Sequence, residues 1–266
     1  MKKTGESTII PPMKFIRKNG LMIGIFPAAE VVAPQLELLT TTRTGGLSRG
    51  AFESLNLGSS TGDKDVERNI QLLLETLGKK RENIARANQV HGAEVATIEK
   101  GGTYEGVDAL VTTEKNLTLV INTADCYPVI VYSPSERALA AIHAGSKGSY
   151  RGIIDNSIAT LMRRFQIDLS NTLAFIGPGI CKKCYSVDSK LASRFEGRYI
   201  SKKKGVMKLD IEQFIFDKLI SLGIKRYNVY RPGLCTSCNP ELFYSYRRDR
   251  GVTGRHWTMA TITEAW

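Results

Sequence analysis

Three stretches of the chain place apolar residues on one face at the spacing of an amphipathic helix. They are residues 66–77, 154–165 and 211–222. Gly78 ends the first stretch, and the third is preceded by Asp210 and followed by Gly223, residue types preferred at helix N-caps and just beyond helix C-termini. The apolar period of about 3.6 residues predicts an α-helix in each stretch.

Ten shorter apolar runs, rich in β-branched residues, have the length of β-strands. They lie at residues 21–26, 37–42, 84–90, 95–98, 109–112, 117–122, 129–132, 138–142, 173–176 and 227–230. In the middle of the chain these runs follow one another without a helix between them, which excludes strict β–α–β alternation. The pattern predicts an α+β fold with mixed β-sheets and flanking helices. We expect one catalytic domain at residues 21–266 and an N-terminal arm at residues 1–20.

The composition narrows the class of protein. Of the 266 residues, 42% are hydrophobic and 24% are charged, as in soluble globular proteins. No apolar run approaches the roughly 18 residues that cross a membrane. The first twenty residues also lack the apolar core of a signal peptide. We therefore expect a cytoplasmic protein with no membrane partner.

The net charge of +11 is spread along the chain rather than concentrated on one arm. Basic residues recur within 2–18, 202–208 and 225–255, and no nucleic-acid-binding motif accompanies them. This distribution argues against a nucleic-acid partner. It is compatible with a pocket in which a few cations hold an anionic substrate such as phosphate. The sequence leaves the oligomeric state open.

Four of the five cysteines form two CxxC pairs, Cys181 with Cys184 and Cys235 with Cys238. A reducing compartment disfavours disulfides. The pairs resemble zinc knuckles, but the fifty residues between them exceed the roughly 15–20 residues usual in zinc ribbons. The spacing therefore favours free thiols over a structural metal site.

The fifth cysteine, Cys126, shares an apolar stretch with one of only three histidines, His143. Residues 133–136 suit a turn between two strands, with Pro134 at its second position. A register that pairs Ser133 with Glu136 also pairs Cys126 with His143, with Cβ atoms roughly 5 Å apart. We therefore predict that this thiol and imidazole lie together, although a one-residue slip would separate them.

His91 has a similar position, at the edge of an apolar run and next to a glycine. Together, His91, Cys126 and His143 offer two imidazoles and a thiolate, ligands that suit zinc. Three protein ligands leave a fourth position open for water, which is the arrangement of a catalytic zinc. The same Cys126 and His143 also suit a metal-free hydrolase, as nucleophile and general base. The residues alone leave both possibilities open.

Several polar residues near these positions are candidates for substrate binding. Asp125 is a charge at the end of a buried strand, where it needs a partner. Arg43 in a glycine-rich turn and Arg247 in a cluster of arginines are candidates for phosphate binding.

A series of motifs in chain order carries a resemblance to a known family. They are TRTGGLSRGAFESLNLGSSTGD (42–63), NQVHGAEV (88–95), DALVT (108–112), TADCYPVIVYS (123–133), AAIHAGSKG (140–148), IGPGICKKCYSV (176–187) and FYSYRRDRGVTGR (243–255). Together they resemble the laccase-domain family, first called multicopper polyphenol oxidases and now known as purine nucleoside phosphorylases. The resemblance extends over residues 40–262, nearly the whole chain.

The resemblance implies that His91, Cys126 and His143 are zinc ligands and the catalytic centre. It implies phosphorolysis of adenosine, inosine, guanosine and 5′-methylthioadenosine, and deamination of adenosine. Purine nucleosides and phosphate would be the partners, with Arg43, Asn56, Asp125 and Arg247 as candidates for binding them. The alternatives are a metal-free Cys–His hydrolase or deamidase and a copper-dependent polyphenol oxidase. Copper is thus a possible metal, although three ligands do not make a multicopper cluster.

The chain departs from the family pattern at two places. Ser146 stands where the family commonly has tryptophan, which predicts a roomier and wetter pocket with weaker purine binding. Cys181 and Cys184 are separated by two residues, whereas the family commonly has adjacent cysteines here.

Overall fold

The computed structural model describes residues 12–264, which form sixteen β-strands and six α-helices. The strands are β1 (Lys14–Lys18), β2 (Leu21–Ile25), β3 (Leu36–Thr41), β4 (Ile84–Asn88), β5 (Val95–Thr97), β6 (Gly102–Glu105), β7 (Ala109–Thr112), β8 (Thr118–Thr123), β9 (Tyr127–Ser133), β10 (Ala138–Ala144), β11 (Leu173–Ile176), β12 (Ser186–Val187), β13 (Ile200–Lys203), β14 (Val206–Leu209), β15 (Val229–Tyr230) and β16 (His256–Ile262). The helices are α1 (Pro27–Val32), α2 (Val66–Leu77), α3 (Ser146–Tyr150), α4 (Ile153–Phe165), α5 (Ser189–Ala192) and α6 (Ile211–Ser221).

The three helices predicted from the apolar period are α2, α4 and α6. Gly78 ends α2 in the left-handed conformation, with φ of 68°. Asp210 caps α6 by accepting a hydrogen bond from the backbone N–H of Gln213. These ends follow the sequence because capping depends only on neighbouring residues.

The strands form two large mixed sheets and one small sheet. The seven-stranded sheet has the order β1-β2-β3-β16-β8-β4-β6, and the six-stranded sheet has the order β15-β11-β9-β10-β7-β5. Most pairs are antiparallel, but β4 pairs in parallel with β6 and β8, β5 with β7, and β11 with β15. The third sheet is β12-β14-β13. This architecture confirms the predicted single-domain α+β fold with mixed sheets and flanking helices.

The two large sheets pack face to face, with helices on their outer surfaces. Ile130 and Tyr132 of β9 point into the core between the sheets, together with Leu119. Val129 and Val131, which alternate with them, point into the core beneath α4 and α6. Because β9 is buried on both faces, its sequence is a continuous apolar run rather than an alternating one.

The register of the β9–β10 hairpin differs from the prediction. Ser133 pairs with Ala138 rather than Glu136, so His143 lies opposite Pro128 rather than Cys126. The predicted register was wrong by two residues because the turn is longer, with Arg137 in a left-handed conformation. A slip of two residues preserves the face of a strand. Cys126, just before β9, and His143 therefore still lie close together.

The N-terminal part of the described chain belongs to the seven-stranded sheet. Residues 1–11 of the predicted arm lie outside the described residues. Lys14–Lys18 form β1, which pairs with β2 along its full length. The predicted boundary after residue 20 falls at the turn between β1 and β2. Within residues 12–264, no helix has the length and apolar character needed to cross a membrane.

Candidate metal centre and active site

Three side chains converge at one end of the six-stranded sheet. His91 follows β4, Cys126 directly precedes β9, and His143 lies near the end of β10. Their potential ligand atoms all lie within 4.8 Å of one another. The rings of His91 and His143 meet edge to face, with centroids 4.8 Å apart. The fold thus brings together the three residues that the sequence singled out.

A buried carboxylate, Asp108, holds the loop that carries His91. The carboxylate of Asp108 accepts hydrogen bonds from the backbone N–H groups of Val90 (3.1 Å), His91 (3.0 Å) and Gly92 (2.6 Å). His91 has a φ of 58°, a conformation that is unfavourable for residues other than glycine. These hydrogen bonds offset that cost and fix the direction of the imidazole.

The same carboxylate orients His143. Nδ1 of His143 lies 2.7 Å from Oδ1 of Asp108, and both side chains are buried. Burial alone would raise the pKa of Asp108, but the hydrogen bond and charge of His143 outweigh it and lower that pKa. Because Nδ1 is engaged, Nε2 of His143 is the nitrogen available to Cys126 or to a metal.

The thiol of Cys126 lies in an environment that favours the thiolate. Burial alone would raise its pKa, but the charges and hydrogen bonds of His143 and His91 outweigh burial and lower it. For His143, burial alone would lower the pKa, but Cys126 and Asp108 outweigh burial and raise it. Without a metal, the pair therefore favours a thiolate beside an imidazolium.

The close approach of these groups depends on Gly145. A Cβ atom at this position would lie 2.7 Å from Sγ of Cys126 and 3.4 Å from Cδ2 of His91. Two imidazole nitrogens and one thiolate, gathered in this way, match the ligand types and number of a catalytic zinc site. The residues present therefore fit a zinc ion.

The cluster lies in the wall of a cavity of about 510 Å³, within the size range of small-molecule sites. The cavity is also lined by cationic, aromatic and amide side chains: Lys147, Arg247, Arg255, Tyr185, Tyr246, Asn88, Gln89 and Asn122. A second cavity of about 520 Å³, beside α2 and β4, is lined by no histidine or cysteine. The chemistry is therefore concentrated in the first cavity.

Two of the predicted substrate-binding residues line this cavity. Asp125 has a φ of 89°, and its carboxylate accepts hydrogen bonds from Oγ1 of Thr236 and the backbone N–H of Arg247, both at 2.6 Å. The Arg247 side chain donates to the carbonyl of Ser186 at 2.9 Å and lies over the ring of Tyr185. Asp125 thus has the partners that a charge at a strand end requires.

The other two predicted residues, Arg43 and Asn56, do not line the cavity. The guanidinium of Arg43 lies 4.8 Å from the ring centroid of Tyr244 and donates to the carbonyl of Pro240. Asn56 is buried, and its Oδ1 accepts a hydrogen bond from the backbone N–H of Arg255 at 2.9 Å. Asn56 therefore positions a cavity residue without facing the cavity itself.

Three site residues were not predicted from the sequence: Asp108, Lys147 and Tyr185. Arg255 was predicted only as a member of the arginine cluster around Arg247. A signal existed for Asp108, because an acidic residue directly before a buried strand requires a partner. Tyr185 is important beside the unusual serine, since its hydroxyl donates to Oγ of Ser146 at 2.8 Å. The ring of Tyr185 thus lines the cavity beside Ser146, the position at which the family commonly has tryptophan.

Comparison with known proteins agrees with the fold and with the family resemblance of the sequence motifs. The family model described as multi-copper polyphenol oxidoreductase laccase matches residues 37–263. A purine nucleoside phosphorylase of Deinococcus radiodurans is 36% identical over 82% of this chain and 86% of its own length.

Two crystal structures superpose closely. YfiH of Bacillus licheniformis, described as a hypothetical protein, has a TM-score of 0.88 and 27% identity, covering 95% of this chain and 99% of its own. YlmD of Geobacillus stearothermophilus has a TM-score of 0.87 and 30% identity, covering 94% of this chain and 99% of its own. This chain belongs to the multi-copper polyphenol oxidoreductase laccase family.

Proposed function

We propose that this protein is a zinc-dependent purine nucleoside phosphorylase whose metal is held by His91, Cys126 and His143. The observation that carries the proposal is the position of this cluster in the wall of a small-molecule cavity that also contains Lys147 and Arg255. The name of the Deinococcus radiodurans relative supports the same activity. The proposed substrates are inosine, guanosine, adenosine and 5′-methylthioadenosine, together with phosphate.

The cavity offers complementary groups for both substrates. Lys147, Arg247 and Arg255 would attract phosphate through charge and donated hydrogen bonds. Polar side chains in the same wall, among them Asn88 and Tyr246, suit a ligand that carries several polar groups, as a purine nucleoside does.

In phosphorolysis, a phosphate oxygen forms a bond to C1′ of the ribose while the bond from C1′ to the purine nitrogen breaks. The electron pair leaves with the base, which takes up a proton. The sugar becomes ribose 1-phosphate or, from 5′-methylthioadenosine, 5-methylthioribose 1-phosphate. The cationic side chains would orient the phosphate, and Asp108 would keep His143 in the geometry required for metal binding. When bound, zinc would supply Lewis acidity to polar atoms of the substrate.

Deamination of adenosine is part of the same proposal, because it requires the purine in the same cavity and water in place of phosphate. The products would be inosine and ammonia. A protein with both activities would therefore convert adenosine to inosine whether or not phosphate is present, and would release free base only with phosphate.

A metal-free Cys–His hydrolase is the second candidate. It is supported by the lowered pKa of Cys126 and by the hydrogen bond between His143 and Asp108, which resemble a nucleophile, its base and an orienting group. A copper oxidase has less support. Within residues 12–264, the only candidate metal cluster that contains histidine has three ligands, too few for a multicopper centre.

The test is a product assay with protein of measured metal content, using inosine and adenosine with and without phosphate. We expect phosphate-dependent release of hypoxanthine from inosine, and loss of this activity in Cys126→Ala with an unchanged circular dichroism spectrum. Full activity after removal of all metal would contradict the zinc enzyme and favour the hydrolase. Activity restricted to copper-loaded protein and phenolic substrates would favour the oxidase.

A further inference from the structure

The four cysteines outside the candidate active site also converge. The sulfur atoms of Cys181, Cys184, Cys235 and Cys238 all lie within 4.8 Å of one another, and those of Cys184 and Cys238 are 3.3 Å apart. Cys235 is buried, whereas Cys238 is exposed at the surface. The four thiols thus lie close together although fifty residues separate the two CxxC pairs.

The topology explains how the two CxxC segments come together. β11 and β15 are parallel neighbours, so the chain leaves both strands in the same direction and at the same edge. Beyond them, the backbone N–H of Thr236 donates to the carbonyl of Gly179 at 3.0 Å, and that of Gly179 to Leu234 at 3.3 Å. The fifty intervening residues include the small sheet and α6, and they return through β15 to the same end of the six-stranded sheet. Their number therefore does not limit the distance between the cysteines.

We propose that Cys181, Cys184, Cys235 and Cys238 form a structural zinc site. With Zn–S bonds of about 2.3 Å, the sulfurs of a tetrahedral site lie roughly 3.8 Å apart. This separation is longer than the 3.3 Å between the sulfurs of Cys184 and Cys238 and falls within the 4.8 Å that contains all four sulfurs. The backbone N–H of Cys181 also points to Sγ of Cys235 at 3.3 Å, a contact that stabilises a thiolate. Four protein ligands fill the tetrahedron, so this site is structural rather than catalytic. Each thiol loses its proton when the metal binds.

The site adjoins the candidate active site through both of its loops. Ile180, next to Cys181, donates its backbone N–H to the carbonyl of Asp125 at 2.9 Å. Thr236, between Cys235 and Cys238, donates its hydroxyl to the carboxylate of Asp125 at 2.6 Å. A zinc ion would therefore lock together two loops that hold the residue preceding Cys126. Its presence follows from the four thiols alone and does not depend on the proposed phosphorylase activity.

Metal analysis of Cys126→Ala provides the main test, because this variant removes a ligand of the other cluster and leaves the four cysteines intact. Purified under reducing conditions, it should retain about one zinc per chain. After replacement by cobalt, it should show the strong thiolate-to-cobalt absorption of a tetrahedral site with four sulfur ligands. A protein without metal, or with iron in place of zinc, would overturn the proposal.

Two further measurements separate this site from the proposed active centre. The double variant Cys184→Ala/Cys238→Ala should bind about one zinc per chain less than wild type, while the zinc ion held by His91, Cys126 and His143 remains bound. If that variant does not fold, thiol labelling of native Cys126→Ala decides the question. We expect its four cysteines to react only after a chelator is added. Immediate reaction of all four thiols, or a disulfide between Cys184 and Cys238, would overturn the proposal.

Discussion

Nδ1 of His143 lies 2.7 Å from the carboxylate of Asp108, which also accepts three backbone hydrogen bonds from residues 90–92. One buried carboxylate therefore positions two of the three candidate metal ligands. Removing the partner of a ligating histidine costs about 10- to 100-fold in metal affinity or activity. We expect Asp108→Asn to lower zinc affinity and kcat/KM by this amount.

The measurement is a zinc titration in competition with a chelator, with parallel kinetics. Asp108→Glu serves as the comparison, because it keeps the charge and should recover part of the affinity. Zinc affinity unchanged in Asp108→Asn would show that Asp108 has no role in positioning the ligands.

Gly145 allows the sulfur of Cys126 to approach the backbone of the neighbouring strand end. In Gly145→Ala the added methyl group would lie 2.7 Å from Sγ, so the thiol must move. Because a displacement near 1 Å at a reacting centre can cost on the order of 100-fold, we expect a loss of activity between about tenfold and 100-fold. Gly197→Ala is the matched control, since a Cβ there meets no atom within 4 Å. Equal kcat/KM in the two variants would contradict the expected displacement.

Tyr185 and Ser146 form a hydrogen bond of 2.8 Å in the cavity wall. Tyr185→Phe and Ser146→Ala each remove it, and a bond of this kind contributes roughly 0.5–1.5 kcal/mol. We expect a similar rise in the nucleoside KM in each variant and no further rise in the double variant. This coupling is measured by a double-mutant cycle on inosine. Additive effects would mean that the two side chains act on the substrate independently.

We expect the cations that line the cavity, rather than Arg43, to contact phosphate. Lys147 lines the cavity, whereas Arg43 packs on Tyr244 outside it. We expect Lys147→Ala to raise the KM for phosphate several-fold, corresponding to about 1 kcal/mol. Arg43→Ala should leave this KM unchanged and lower the thermal midpoint instead, because it loses a cation–π contact. A larger phosphate KM in Arg43→Ala than in Lys147→Ala would contradict this assignment.

His256 makes the protein sensitive to acid. Its ring is buried between Phe243 and Tyr244, and neither ring nitrogen has a hydrogen-bond partner within residues 12–264. Burial, and then the charges of nearby arginines including Arg255, lower the pKa of His256 to about 3. The unfolded chain therefore binds a proton first as the pH falls below about 6.5. As the pH falls from about 6.5 to about 3, this difference lowers the free energy of unfolding by roughly 1.4 kcal/mol per pH unit.

His256→Phe keeps an aromatic ring at this position and removes the titration. Urea unfolding at pH 7 and at pH 5 gives the free energy of unfolding of each protein. Between these two pH values, we expect this free energy to fall by about 2 kcal/mol less in the variant than in wild type. Other groups titrate equally in both proteins and cancel in the comparison. Parallel pH dependences would show that His256 is already paired or exposed in the folded protein.

The local features of the fold could be predicted from the sequence. The helices α2, α4 and α6 begin and end where the apolar period and the capping residues indicate, because both signals involve residues a few positions apart. β16 was missed, although it lies at the centre of the seven-stranded sheet. Its His256, Thr258 and Thr261 are buried polar residues that interrupt the apolar pattern. Their environment comes from other strands and leaves no local signature.

The sequence by itself also determined which chemistry was available, because His91, Cys126 and His143 supply two imidazoles and a thiol at the edges of apolar runs. The tertiary structure alone decided which distant residues complete the site. It placed Asp108 against His143, moved Arg43 away from the cavity, and brought Cys181 and Cys235 together through two parallel strands. These contacts depend on sheet order and register, which are set by packing over long sequence separations. Residue spacing along the chain does not encode them directly.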